Sequence, residues 1–144
     1  IQPIAYSHAL HAGEYKIDCT YCHYGAERGR HAGIPSASIC MNCHAQVKKD
    51  APAIRQLAEA VAAGATVSWV KVHRLPDFAY FNHARHVTTG GQKCQTCHGP
   101  VETMTRVRQV ESMTMGWCLS CHRQTVHASG GKLAPPTDCS ACHY

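Results

Sequence analysis

Cys19-Thr20-Tyr21-Cys22-His23 opens a series of five: Cys40-Met41-Asn42-Cys43-His44, Cys94-Gln95-Thr96-Cys97-His98, Cys118-Leu119-Ser120-Cys121-His122 and Cys139-Ser140-Ala141-Cys142-His143 follow it. Each is Cys-x-x-Cys-His, and together they use all ten cysteines of the 144-residue chain. They are numbered here motifs 1 to 5. This spacing attaches c-type haem: the two cysteines form thioethers to the porphyrin, and the adjacent histidine becomes the proximal iron ligand. The expected cofactor is therefore haem c, five copies, tethered by Cys19, Cys22, Cys40, Cys43, Cys94, Cys97, Cys118, Cys121, Cys139 and Cys142. The proximal ligands expected are His23, His44, His98, His122 and His143.

Other uses of paired cysteines fit less well. A structural zinc site needs four ligands and has no need of histidine directly after the second cysteine. A thioredoxin-like site needs one pair in a strand–helix context. A disulfide framework is indifferent to the next residue. Histidine fills 12 of 144 positions, so its recurrence after all five pairs is not a matter of composition.

The length suits one domain. Few aromatics and ten tethering cysteines leave a thin side-chain core, which five large, flat, apolar haems would replace. The formal charge of +5 would ordinarily point to an acidic partner or membrane surface. Five ferric haems, each with two propionates, would instead bring the total to about zero. Arg74, Arg85, Arg106, Arg108 and Arg123 are candidates to neutralise propionates. No stretch approaches the ~20 apolar residues of a membrane helix, and no nucleophile–base pair, phosphate loop or nucleic-acid motif is present. Covalent attachment of haem to this motif takes place outside the cytoplasm, so an exported, periplasmic or otherwise extracytoplasmic protein is expected, with Ile1 a processed or trimmed start.

The organisation expected is one domain over 1–144. It comprises a two-haem part over about 1–50, a helical connector over about 51–64 and a three-haem part over about 65–144. In the connector, Asp50 is the expected cap, Pro52 stands in the first turn, Ile54, Leu57, Ala58 and Val61 share a face, and Gly64 stops the helix. Thr66 to Val72 reads as a short extended piece and Val101 to Met113 as a helix of three turns. The remainder reads as turns and coil, with Gly90-Gly91, Gly130-Gly131 and Pro135-Pro136 as punctuation. The fold class is mainly α and irregular: a small haem-packed multihaem cytochrome c fold with short helices and little or no sheet.

An internal repeat supplies the distal ligands. Tyr6-Ser7-His8-Ala9-Leu10-His11 precedes motif 1 by about the distance at which Phe81-Asn82-His83-Ala84-Arg85-His86 precedes motif 3. Histidines at i and i+3 share one side of a turn and can address two neighbouring haems. His8, His11, His83 and His86 are therefore candidate iron ligands, the first of each pair serving the following motif and the second reaching another. For the fifth ligand His73 is favoured, with His31, His127, Met113 and Met115 as rivals. Seven histidines outside the motifs exceed the five needed, which favours bis-histidine ligation over an open iron. Trp69 and Trp117 read as core or haem-face packing.

The paired-histidine turns resemble those of class III multihaem cytochromes. More narrowly, the chain is similar to the pentahaem cytochrome subunit of alternative complex III, a quinol-oxidising membrane complex. The similarity lies in Tyr21-Cys22-His23 with Gly25-Ala26-Glu27, in His31-Ala32-Gly33-Ile34-Pro35-Ser36, in motif 2, in Val72-His73-Arg74-Leu75-Pro76-Asp77-Phe78 and in Met115-Gly116-Trp117-Cys118. The resemblance implies relay of electrons between a respiratory or photosynthetic membrane complex and other redox proteins. It also implies contact with the membrane through a partner or through an anchor ahead of the first turn, where this chain begins. A multihaem reductase of a nitrogen or sulfur oxyanion and a unit of an extracellular haem filament are the alternative readings. The mass of the denatured, mature protein should exceed that of the polypeptide by five haem masses; a smaller increment would remove at least one motif from the count.

Overall fold

Five of 144 residues are buried: Ile4, Ala26, Leu57, Gly99 and Met104. The computed structural model describes all residues, 1–144, and its accessible surface is 10026 Å². A folded chain of 15.7 kDa ordinarily exposes about 7,300 Å². The polypeptide is thus organised without a side-chain core of its own. What it has instead are short helices, wide turns and main-chain hydrogen bonds, and no β-strand.

Five α-helices form: α1 (Cys19–Cys22), α2 (Ala37–His44), α3 (Pro52–Ala62), α4 (Cys94–His98) and α5 (Met115–Ala128). Motifs 1 to 4 lie in or at the ends of α1, α2, α4 and α5, and motif 5 begins with a single 3₁₀ turn, Cys139–Ala141. Two of these starts are capped alike. Asp18 Oδ1 accepts from the Thr20 amide at 2.7 Å and its hydroxyl at 2.6 Å, and Asp138 Oδ1 accepts from the Ser140 hydroxyl at 2.6 Å and the Ala141 amide at 3.1 Å. These hydrogen bonds hold the Asp18 and Asp138 carboxyls below the usual carboxylate range, as expected for anions at a helical start.

The duplicated histidine turns are the frame. Residues 9–14 and 85–89 form wide turns closed by i→i−5 hydrogen bonds, Tyr15 N to Leu10 O at 3.0 Å and Gly90 N to Arg85 O at 2.9 Å. Equivalent residues are 75 positions apart throughout: 8 and 83, 11 and 86, 19 and 94. Such π-turns are rare and are found mostly at functional positions. Their docking is reciprocal. The first turn packs on Val101–Thr103, just after motif 3, with Ala9 N donating to Met104 O at 3.0 Å. The second packs on Tyr24–Glu27, just after motif 1, with Ala84 N donating to Gly29 O at 3.0 Å. Donors and acceptors are both offset by 75, the signature of a two-fold relation between the halves. The Cys19 and Cys94 thiols, equivalent residues, lie near enough for Cys94 to help burial raise the Cys19 pKa.

The connector helix spans Pro52–Ala62, with Pro52 in its first turn and Gly64 at φ +63° beyond its end. Ala51, rather than Asp50, occupies the cap position. Leu57 is the buried member of the expected face, while Val61 is 40% exposed; α3 packs on α2. Residues 66–72 form neither strand nor helix, and Gln2 clips the segment by exchanging two hydrogen bonds with Val70.

Two expectations are corrected. Val101 to Met113 is not a helix: only Val101–Thr103 coils, and Met113 stands at φ +50°. Tertiary demands override local propensity here, because Met104 gives its carbonyl to Ala9 and Gln109 gives its side chain to Arg74 N and Glu111 O. Conversely, residues 115–128, read as motif and loop, form the longest helix. Thr114 Oγ1 caps it by accepting from Trp117 N at 3.3 Å, and Gly130 and Gly131, both at positive φ, end it.

Gly13 sits where the first turn meets the segment after motif 3; a Cβ there would collide with the Glu102 carbonyl. Gly13→Ala should destabilise the protein by about 1–3 kcal/mol through overpacking. Gly29→Ala, with nothing near the added methyl, should change stability little. Equal denaturation midpoints for the two variants would refute the docking described.

Candidate functional site

Each histidine turn is prepared by the residue before its first histidine. Ser7 Oγ accepts from Leu10 N, and Asn82 Oδ1 accepts from Arg85 N, both at 3.2 Å. The carbonyls of the same two residues accept from the second histidines, His11 Nδ1 to Ser7 O at 2.9 Å and His86 Nδ1 to Asn82 O at 2.8 Å. The aromatic residue one position earlier packs identically in both halves. Tyr6 meets His8 edge-on at 4.8 Å and stacks on His11 at 4.5 Å; Phe81 meets His83 at 4.9 Å and stacks on His86 at 4.3 Å. Burial, with the Cys22 and Cys40 thiols nearby, pushes the Tyr6 phenol up to about 12, so it packs as a neutral ring.

The motif histidines are oriented by the same kind of bond. Nδ1 of His23 lies 2.7 Å from Gly33 O, His44 2.9 Å from Val47 O, His122 2.6 Å from Pro136 O and His143 2.8 Å from Phe78 O. His83 Nδ1 lies 2.8 Å from Arg30 O. A carbonyl oxygen can only accept, so each of these rings carries its proton on Nδ1 and presents a lone pair at Nε2. This is the ring state of a metal ligand steadied from behind.

Four of the motif histidines face a turn histidine. Ring centroids are 6.5 Å apart for His8 and His23, 6.1 Å for His11 and His44, 6.3 Å for His83 and His98, and 6.0 Å for His86 and His122. Two metal–nitrogen bonds of about 2 Å, plus about 1 Å from each ring nitrogen to its ring centre, span about 6 Å. The spacing fits one iron held between each pair. The planes are nearly parallel at 7° and 1° for the first pair of each turn, and cross at 62° and 28° for the second.

Burial sets the charge of these rings. It pulls the His8 pKa down to about 4, aided by His23 and His11, and the His98 pKa down to about 4, aided by His73, His83 and His23. It also lowers His86 and His73. The rings are thus neutral near pH 7, as ligation requires.

Motif 5 differs. The aromatic ring nearest His143 is Phe78, 5.8 Å away and tilted by 38°. His73 lies edge-on to His98 at 4.4 Å, and its Nε2 is enclosed and has no hydrogen-bond partner. His31 is exposed in its loop, and His127 is exposed in the last turn of α5. Met115 is 69% exposed. Arg74, Arg85, Arg106, Arg108 and Arg123 are all exposed, and both tryptophans are half-buried.

The ten cysteines form no disulfide, and seven of them, Cys94 included, are half-buried. Burial is the first cause that raises the pKa of the Cys22 thiol, with Cys40 and Cys19 adding to it; that of Cys97, with Cys121 and Cys118; and that of Cys118, with Cys142. With Cys94 beside Cys19, these neighbours support a motif order of 2–1–3–4–5. Sequence reading missed Ser7 and Asn82. Their signal was a capping residue at the same place in both copies of the repeat.

Comparison with known proteins agrees with this geometry. Residues 79–144 match the model of the family described as cytochrome c7 and related cytochrome c. Over 162 aligned positions the chain is 30% identical to the menaquinone reductase multiheme cytochrome c subunit of Nitratidesulfovibrio vulgaris (strain Hildenborough), covering 99% of this chain and 76% of that protein. Repeated tethering motifs, imidazole pairs at iron-ligating distance and these matches define a multihaem c-type cytochrome, an electron carrier. The chain belongs to the family of that menaquinone reductase cytochrome subunit. No helix is long and apolar enough to cross a membrane.

The depressed His8 and His98 values carry a sign. Unfolded histidines bind protons from about pH 6.5 downward, and these two resist until about pH 4. Their contribution to stability is complete above pH 6.5 and is lost as pH falls through 4. Denaturation midpoints should fall across that window, and less steeply in His8→Gln. A midpoint independent of pH between 6.5 and 4 would contradict the burial of these rings.

Proposed function

We propose that the chain is a five-haem electron conduit with four bis-histidine centres, at His8/His23, His11/His44, His83/His98 and His86/His122. The carrying observation is the set of four imidazole pairs at 6.0 to 6.5 Å. When bound, each haem supplies a one-electron iron couple. The chain's own part is positional. The cysteine pairs fix each porphyrin against its motif, the carbonyls behind Nδ1 fix each ring's tautomer and plane, and the two-fold docking sets motifs 1 and 3 side by side.

The adjacency of motifs supports a linear path ordered 2–1–3–4–5, with motifs 2 and 5 as its ends. At the fifth centre His143 is the proximal ligand. The placement of His73 against His98, with its Nε2 enclosed, favours a sixth ligand other than that histidine. His31, His127, Met113 and Met115 are the readings that remain.

The relative's name supports a partner of the same kind, a quinone-reactive membrane complex, with donor and acceptor both redox proteins. Assignment to an alternative complex III-type assembly rests on the sequence strings quoted above. Location outside the cytoplasm follows from the attachment chemistry.

Low-temperature electron paramagnetic resonance of the oxidised protein tests the ligation. Near-parallel pairs should give rhombic low-spin signals, and the crossed His11/His44 pair should give a more anisotropic one. His83→Ala should convert one low-spin centre and leave the other bis-histidine signals in place. Rapid mixing of the reduced protein with an oxidised carrier should show electron transfer that weakens with salt. Unchanged low-spin signals in His83→Ala would overturn the ligand set, and steady turnover of nitrite or sulfite by the pure protein would overturn the carrier role.

A further inference from the structure

Arg30 stands where the two-fold relation between the halves breaks down. Its carbonyl accepts from His83 Nδ1 at 2.8 Å and from His83 N at 3.3 Å. The residue equivalent to Arg30 in the other half is Thr105, and the ring equivalent to His83, His8, has an enclosed Nδ1 with no partner. Only the second half has this support.

The side chain of Arg30 is placed as unusually as its carbonyl. The guanidinium carbon lies 4.9 Å from the centre of the Tyr80 ring and 5.9 Å from that of Tyr144, and these two rings stack at 4.4 Å. Tyr80 N donates to Cys142 O at 2.8 Å, and Tyr144 directly follows the motif 5 histidine. One residue therefore joins the His83/His98 centre to motif 5. Its Nε is enclosed and has no hydrogen-bond partner. A buried N–H of a permanent cation, left unpaired, is costly, and the planar guanidinium fork is built for a carboxylate.

Building on the five-haem reading, we propose that Arg30 takes a porphyrin propionate at the junction of the His83/His98 centre and motif 5, and thereby sets the potential of that centre. The two tyrosine rings hold the guanidinium flat and shield the pair from water, so that its charge is screened less and acts over a longer range. A fixed positive charge beside the iron favours the reduced state. Arg30 is a positioning residue in this reading, since it touches no iron.

Potentiometric titration of the intact five-haem protein with Arg30→Gln and Arg30→Lys tests this. Haem stoichiometry by mass should stay at five in both, which separates the result from any failure of the five-haem reading itself. Arg30→Gln should lower the potential of one centre and leave the other four unchanged. Arg30→Lys keeps the charge without the planar fork, so the fall should be clearly smaller, and this variant carries the test should Arg30→Gln fail to fold. Five unchanged potentials in Arg30→Gln would overturn the proposal. Equal falls in the two variants would do so as well, because they would assign the effect to lost stacking rather than to charge.

Discussion

A histidine ring that is to hold iron at Nε2 must be held from behind at Nδ1, and nearly everything in this fold serves that constraint. Seven of the rings described are fixed by a main-chain carbonyl at 2.6 to 2.9 Å. Carbonyls have no protonation state and few degrees of freedom, so they define tautomer, direction and plane together. The wide turns at 9–14 and 85–89 belong to the same logic. They let histidines three residues apart address two different partners, with the residue ahead of them serving both as cap and as carbonyl acceptor for the second ring.

The consequence for stability is unusual. With five buried residues and an accessible surface well above that of an ordinary chain of this mass, the polypeptide cannot rely on side-chain packing. Hydrogen bonds between distant backbone segments, such as Ala9 to Met104 and Ala84 to Gly29, define where the motifs sit. On the proposed five-haem reading, covalent tethers and iron–histidine bonds replace the missing core, as metals and cross-links do in other small scaffolds. Folding and cofactor attachment are therefore parts of one process.

The two-fold relation also clarifies the division of labour. Motifs 1 and 2 with the first turn, and motifs 3 and 4 with the second, are equivalent units joined by the Ala9–Met104 and Ala84–Gly29 hydrogen bonds. Motif 5 has no counterpart. It is joined through the Cys142 carbonyl, which accepts from Tyr80 N, through the His143 ring, which donates to Phe78 O, and through the Tyr80–Tyr144–Arg30 stack. The halves differ in the support of His8 against His83, where the equivalent positions carry Thr105 and Arg30.

The sequence by itself determined the chemistry. Ten cysteines in a fixed pattern, five histidines beside them and a repeated aromatic-x-His-x-x-His turn are local signals, legible because tethering and ligation depend on residues a few positions apart. It also marked the connector helix, through Pro52 and Gly64. What it could not settle depends on long-range geometry. Which ring faces which motif, the 2–1–3–4–5 adjacency and the place of His73 against His98 arise from segments far apart in the chain. Tertiary contacts drew Val101 to Met113 out of the helix its composition suggested, because its carbonyls and side chains were claimed by the first turn and by Arg74. The 14-residue helix at Met115 lies in a stretch that reads as turns and coil, yet the cap at Thr114 and the stop at Gly130 and Gly131 carry it through to Ala128.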